Sequence, residues 1–142
     1  MATRSGKGEG SRATSPRRGR LTASGAVRFL KLYKEAWETR NADLAASLFT
    51  RDAHYWENPF GPPIVGREAI RAYWVAATEK QKDIQFSVRD SFFQKFALAI
   101  DWRCLYTSLP SGEHRELAGI MIADFYGGQV RTFRECWLRR NV

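Results

Sequence analysis

The aromatic stretches of this 142-residue chain hold a minority of polar side chains, and a few of these are suited to moving a proton. His54 and Asn58 lie in the run His54-Tyr55-Trp56-Glu57-Asn58-Pro59, and Glu135 stands between Phe133 and Trp137. Side chains alternate along a strand, so His54, Trp56 and Asn58 are expected on one face, taken as inward, with Tyr55 and Glu57 opposite. The same rule puts Phe133, Glu135 and Trp137 together. If they face inward, Glu135 is a carboxylate in an apolar wall, where lost hydration raises its pKa. A histidine and a glutamate across a pocket form a general acid–base pair. The competing assignment gives Glu135 an arginine or a tryptophan N–H as a structural partner, and the sequence admits both.

Other polar groups point elsewhere. In Asp101-Trp102-Arg103, alternation keeps Phe96, Leu98, Ile100 and Trp102 on the apolar face and turns Asp101 and Arg103 outward as a charge pair. Asp124 is expected outward by its parity with Ile120 and Ile122. His114 follows the Ser111-Gly112 turn and is expected in solvent. Two histidines without helical or carboxylate spacing predict no metal site. Cys104 and Cys136 lack ligand spacing too, and read as small buried thiols of a reducing, cytoplasmic compartment. With no P-loop and no Rossmann glycine fingerprint, no cofactor is expected.

The totals place these residues in one globular domain: 44% hydrophobic, 27% charged, and 13% aromatic with five Trp. Such aromatics fill cores and also line apolar pockets. No run reaches the ~20 apolar residues that span a bilayer. The net charge of +8 suggests nucleic acid until it is located. Residues 1–20 hold Arg4, Lys7, Arg12, Arg17, Arg18 and Arg20 against Glu9 alone. That Gly/Ser/Arg/Thr segment is expected to be a disordered basic tail, and the domain to occupy 21–142. The tail has neither an amphipathic helical pattern nor an apolar stretch after Arg17-Arg18, so targeting readings fail. No nucleic-acid-binding signature accompanies it, and a nucleic-acid partner is not expected.

Helical periodicity runs from Thr22 to Arg40, with Ala26, Phe29, Leu30, Tyr33, Ala36 and Trp37 on one stripe and Thr22 or Ser24 as N-cap. A short helix is predicted over Asp43–Phe49 and a third over Arg67–Thr78. Between them a strand, Ala53–Asn58, must end at Pro59, Pro62 and Pro63. Strands are then predicted over Asp83–Gln94, Phe96–Thr107, Glu113–Tyr126 and Gln129–Leu138. Turns at Leu109–Gly112 and Tyr126–Gln129 make the last strands antiparallel neighbours. Helices first and strands after argue α+β, with helices against one face of a sheet.

This order, with Tyr33 and Trp37, Asn41-Ala42-Asp43-Leu44, Leu48-Phe49, Glu57-Asn58-Pro59, Gly66-Arg67-Glu68-Ala69-Ile70 and Tyr73-Trp74, resembles the SnoaL-like group of the nuclear-transport-factor-2-like superfamily. Gly119–Phe125, Gly128-Gln129-Val130-Arg131 and Phe133–Trp137 look like the same group's closing hairpin. The resemblance implies a cone-like roll: three N-terminal helical segments on a strongly curved, mainly antiparallel sheet, with a pocket at its wide end. It also implies a homodimer through the outer sheet face and activities from ketosteroid isomerisation and ring closure to epoxide hydrolysis or plain binding. Fold analogy does not choose among these. The isomerase pattern's catalytic Asp aligns with Asn58, which takes up no proton near neutral pH, and its second acid aligns with Met121. The chain is thus expected to bind a small hydrophobic or aromatic molecule. His54 and Glu135 are the candidate acid–base pair, with Tyr33, Trp37, Trp56, Asn58, Tyr73, Trp102, Met121, Phe133 and Trp137 around the ligand. The alternative is a non-catalytic binding or dimerisation module.

Overall fold

A computed structural model describes residues 19–142; the basic tail 1–20 lies outside it except for Gly19 and Arg20. Helix α1 (Ala23–Glu38) starts where the Thr22 side chain accepts from the Gly25 N–H at 3.0 Å. Its apolar stripe, Ala26, Phe29, Tyr33, Ala36 and Trp37, is buried as its three- and four-residue spacing requires. Arg40 turns the chain at a positive φ, and Asn41 caps α2 (Ala42–Ser47) by accepting from the Leu44 N–H. Strand β1 (Phe49–Trp56) follows at once and ends before Pro59. A two-residue strand, β2 (Ile64–Val65), hidden in sequence by the prolines that precede it, returns antiparallel to it.

Gly66 lies at φ +92°, a conformation that side chains beyond glycine resist, and its carbonyl opens α3 (Arg67–Thr78). Arg67 pins this start to the sheet, donating through Nε and Nη2 to the Phe49 carbonyl at 2.9 and 2.7 Å. Four long strands complete the chain: β3 (Gln81–Gln94), β4 (Ala97–Ser108), β5 (His114–Tyr126) and β6 (Gln129–Asn141).

The sheet order is β2-β1-β6-β5-β4-β3. All neighbours are antiparallel except β1 and β6, which run parallel. Register shifts in β1, in β5–β6 and twice in β3–β4 let the sheet bend, because each bulge adds local twist. The result is an α+β roll, a curved open sheet with three helices on its concave face. That face contributes Leu98, Ile100, Trp102, Cys104, Met121, Ala123 and Phe133 to the core, against Phe29, Tyr33 and Trp37 of α1 and Ile70 and Trp74 of α3. No described helix is long and apolar enough to cross a membrane.

Two expectations are corrected here. The inward residues of β1 are Ala53 and Tyr55, whereas His54 and Trp56 lie on the convex face and Asn58 is exposed beyond the strand. Aromatics stand on both sides of this strand, so hydrophobicity could not set the phase; the register shift between Phe49 and His54 does. Cys136 is exposed on the convex side of β6, while Cys104 is buried as expected.

Candidate functional site

A cavity of about 440 Å³ opens between the helices and the concave face, at the end where β3 and β5 begin and β4 and β6 finish. Its inner wall is aromatic: Tyr33 and Trp37 from α1, Tyr73 and Trp74 from α3, Tyr55 from β1 and Trp102 from β4. Edge-on packing locks these rings. Tyr33 meets Trp74 with centroids 5.3 Å apart at 87°, and Trp37 at 6.1 Å and 89°. Trp37 Nε1 donates to Gln81 Oε1 at 2.9 Å, fixing that indole against the start of β3. The mouth carries charge: Glu57, Lys80, Arg115 and Arg139.

Glu135 sits in this wall. Its neighbours along β6, Phe133 inward of it and Trp137 toward the mouth, share its face, and it is 7% exposed. Burial pushes its carboxyl up to about 8, the Tyr55 hydrogen bond opposes the rise, and the Glu57 charge adds to it. Tyr55 donates its hydroxyl to Glu135 Oε1 at 3.1 Å. Burial first, and the Glu135 carboxylate second, also raise Tyr33, Tyr55 and Tyr73 above the usual phenol range. Glu57 at the mouth adds to the rise of Tyr73. The cavity thus holds a carboxylic acid that is mostly protonated at neutral pH, a set of neutral phenols, and a second carboxylate nearer solvent. A carboxyl held neutral donates a hydrogen bond to an oxygen that gains negative charge, and a solvated carboxylate takes up a proton. Among the described residues, no three His, Cys, Asp or Glu side chains cluster to hold a metal ion.

A family profile described as SnoaL-like domain matches residues 29–133, most of the chain. The chain belongs to the SnoaL-like family. Among solved structures, its fold is similar to a Δ5-3-ketosteroid isomerase from Mycobacterium sp., at 14% identity and TM-score 0.71, covering 83% of this chain and 98% of that one. It is similar to the epoxide hydrolase/cyclase-like enzyme SalBIII of salinomycin pyran-ring formation, at 13% identity and TM-score 0.71, covering 81% and 92%. It is also similar to an LEH-like epoxide hydrolase of M. tuberculosis, at 11% identity and TM-score 0.68, covering 81% and 84%. No curated protein matches the sequence. At these identities the likeness is one of fold, and the chemistry rests on the residues present.

In this SnoaL-like chain, Tyr33, Trp37, Tyr73, Trp102, Glu135 and Trp137 of the expected set meet at the cavity. Met121 and Phe133 are wholly buried in the core, Met121 directly across from Glu135 in the β5–β6 register. His54 faces away, with Nδ1 3.1 Å from the Asp52 carbonyl oxygen and its ring stacked on Trp56. Asn58 forms a turn in which Oδ1 accepts from the Phe60 N–H at 2.8 Å. Asp101 and Arg103 pair outward at 3.0 Å as expected, and Asp124 accepts from Thr132 at 2.8 Å. Sequence reasoning missed Tyr55, Glu57, Arg115 and Arg139. The signal for Arg139 was present, since Phe133-Glu135-Trp137-Arg139 continues one alternation. The signal for Tyr55 and Glu57 was their shared parity, attached to the wrong face.

Proposed function

We propose that this SnoaL-like protein binds a small, mainly apolar or aromatic molecule in the aromatic cavity and moves a proton on it, as a cofactor-independent isomerase-type enzyme. The observation that carries the reading is Glu135, a carboxylic acid held neutral by burial in the wall of a cavity that also receives Glu57. In the reaction, Glu135 keeps its proton and donates a hydrogen bond to a ligand carbonyl oxygen. Glu57 takes a proton from the adjacent carbon and returns it to the same or a conjugated carbon. Tyr55 orients Glu135 through its hydroxyl. His54, expected to share this work, has no part in the scheme.

The probe 2-tetralone, a bicyclic ketone with acidic α-hydrogens, tests this by deuterium exchange in D2O followed by proton NMR. The chain is expected to accelerate exchange above buffer. Glu57→Gln should lower that acceleration by about 100-fold or more, as loss of a general base does. Glu135→Gln, which keeps a donor, should lower it less. Tetralone binding with no exchange above buffer supports the alternative, a non-catalytic binding module. The apolar convex face of the sheet favours a further reading, that two copies of the chain pair through it.

A further inference from the structure

Three buried side-chain atoms among the described residues are donors without a hydrogen-bond partner: Trp74 Nε1, Trp102 Nε1 and Arg115 Nε. All three side chains line the same cavity. Buried polar groups in folded proteins are nearly always partnered, so three exceptions on side chains that line one cavity call for a common cause. The neighbouring Trp37 shows the contrast. Its ring lies 6.1 Å from Trp74 and 5.4 Å from Trp102, yet its own N–H is satisfied by Gln81. Indole and guanidinium N–H groups donate and never accept, so a ligand that reaches them must bring acceptors.

The acceptors differ in kind. The two indoles are neutral and lie in the aromatic wall, which suits an uncharged oxygen. Arg115 is cationic and stands at the mouth with Lys80 and Arg139. Its Nη2 donates to Glu113 at 2.6 Å and its guanidinium also bonds the Tyr106 side chain, while its Nε has no partner. Against these three cations the mouth sets Glu57, and Arg115 is further paired with Glu113 outside the lining.

We infer that the ligand is an amphipathic organic acid: an aromatic-sized apolar body with a neutral carbonyl or hydroxyl oxygen at Trp74 and Trp102, and a carboxylate at Arg115. This rests on the cavity being the ligand site and names the class of molecule it takes. The indole donors hold the oxygen. The guanidinium, supported by Lys80 and Arg139, selects the charged end, because hydrogen bonds to an ionised acceptor are about twice as strong as neutral ones.

Four naphthalenes of one shape test it on the full chain: 6-acetyl-2-naphthoate, 2-naphthoate, 2-acetylnaphthalene and 2-ethylnaphthalene. The readouts are dissociation constants and the indole N–H signals in ¹H–¹⁵N spectra, assigned by single Trp→Phe variants. The keto acid is expected to bind about tenfold or more tighter than either singly substituted ligand. The Trp74 and Trp102 signals should move downfield with the two ketones and not with 2-ethylnaphthalene. Arg115→Gln should abolish the preference for the acids and leave the preference for ketones. Trp74→Phe with Trp102→Phe should do the reverse. The indole shifts of the unaltered chain carry the test alone if a variant does not fold. Equal affinity for 2-ethylnaphthalene and the keto acid, with equal indole shifts, overturns the inference and leaves the binding reading standing. Failure of all four to bind overturns both.

Discussion

Glu135 keeps its proton because burial removes the water that would stabilise its charge, and the Glu57 carboxylate makes ionisation harder still. Stability then depends on pH with a definite sign. An unfolded glutamate loses its proton near its ordinary value, 4.5, while the folded one holds it to about 8. Between these limits the folded state binds more protons, so stability is fully present below 4.5 and falls as pH rises toward 8. The slope is at most about 1.4 kcal/mol per pH unit. Thermal melts from pH 5 to 9 should show this fall in the native chain and a flatter profile in Glu135→Gln, which has no proton to lose. Exchange on 2-tetralone should decline as pH rises through about 8, when the donor ionises. That Glu135 shares a face with Phe133 and Trp137 was legible in sequence from their period-two spacing, but that the face turns inward was not, because an outward partner fits the same alternation. Nor was the face of Glu57 legible: Tyr55 and Trp56 are both large aromatics, and only the register of β1 against β6 decides which of them turns inward.

At the scale of elements, the two longer helices were legible from their apolar stripes and their boundaries, Asn41 after the first and Gly66 before the third. The short helix, expected to run to Phe49, stops before it, and Phe49 instead opens β1. The four long strands were legible from their turns. The pairing of β1 with β6 was not, because a parallel contact between distant segments leaves no local pattern, and β2 is too short to leave any. One close approach in the sheet has consequences for the site. At Gly119, opposite Trp137 in the β5–β6 register, an added Cβ would stand 2.5 Å from the Cys136 carbonyl oxygen, 2.8 Å from Trp137 Cβ and 3.0 Å from Trp102. Two of these neighbours are fixed by backbone, so the strands must separate or Trp102 must shift. Gly119→Ala is expected to destabilise the chain by about 1–3 kcal/mol, the range for overpacked interiors, measured by urea unfolding. It should also weaken binding of 2-acetylnaphthalene, because the displaced ring bears one of the two free indole donors. Native stability and affinity in this variant would mean that the sheet tolerates the added methyl and that the Trp102 position is not fixed by its neighbours.

At the scale of the whole molecule, the sheet has two unequal faces. The concave one is covered by helices. The convex one presents Ile120, half exposed, and Leu138, 79% exposed, with Ile122, Cys136 and Trp56 beside them. Its charges sit in pairs within one chain, Asp101 with Arg103, Glu116 with Arg140 and, among the apolar residues themselves, Arg134 with Asp124, so a second copy would meet a mainly apolar patch whose charges are largely neutralised. An isologous dimer places the same patch against itself, and a stable one buries about 800 Å² per partner, which the convex face of a six-stranded sheet can supply. The cavity opens from the concave side, so pairing leaves its mouth free. Sedimentation equilibrium should therefore find a dimer in the native chain and a monomer in Ile120→Glu, where two like charges meet near the axis. The variant's circular dichroism should be unchanged, since Ile120 points to solvent in the single chain. Affinity for 2-acetylnaphthalene should be retained in the monomer if the cavity is complete within one copy. A native chain that sediments as a monomer at high concentration removes the dimer and leaves the convex patch without an occupant.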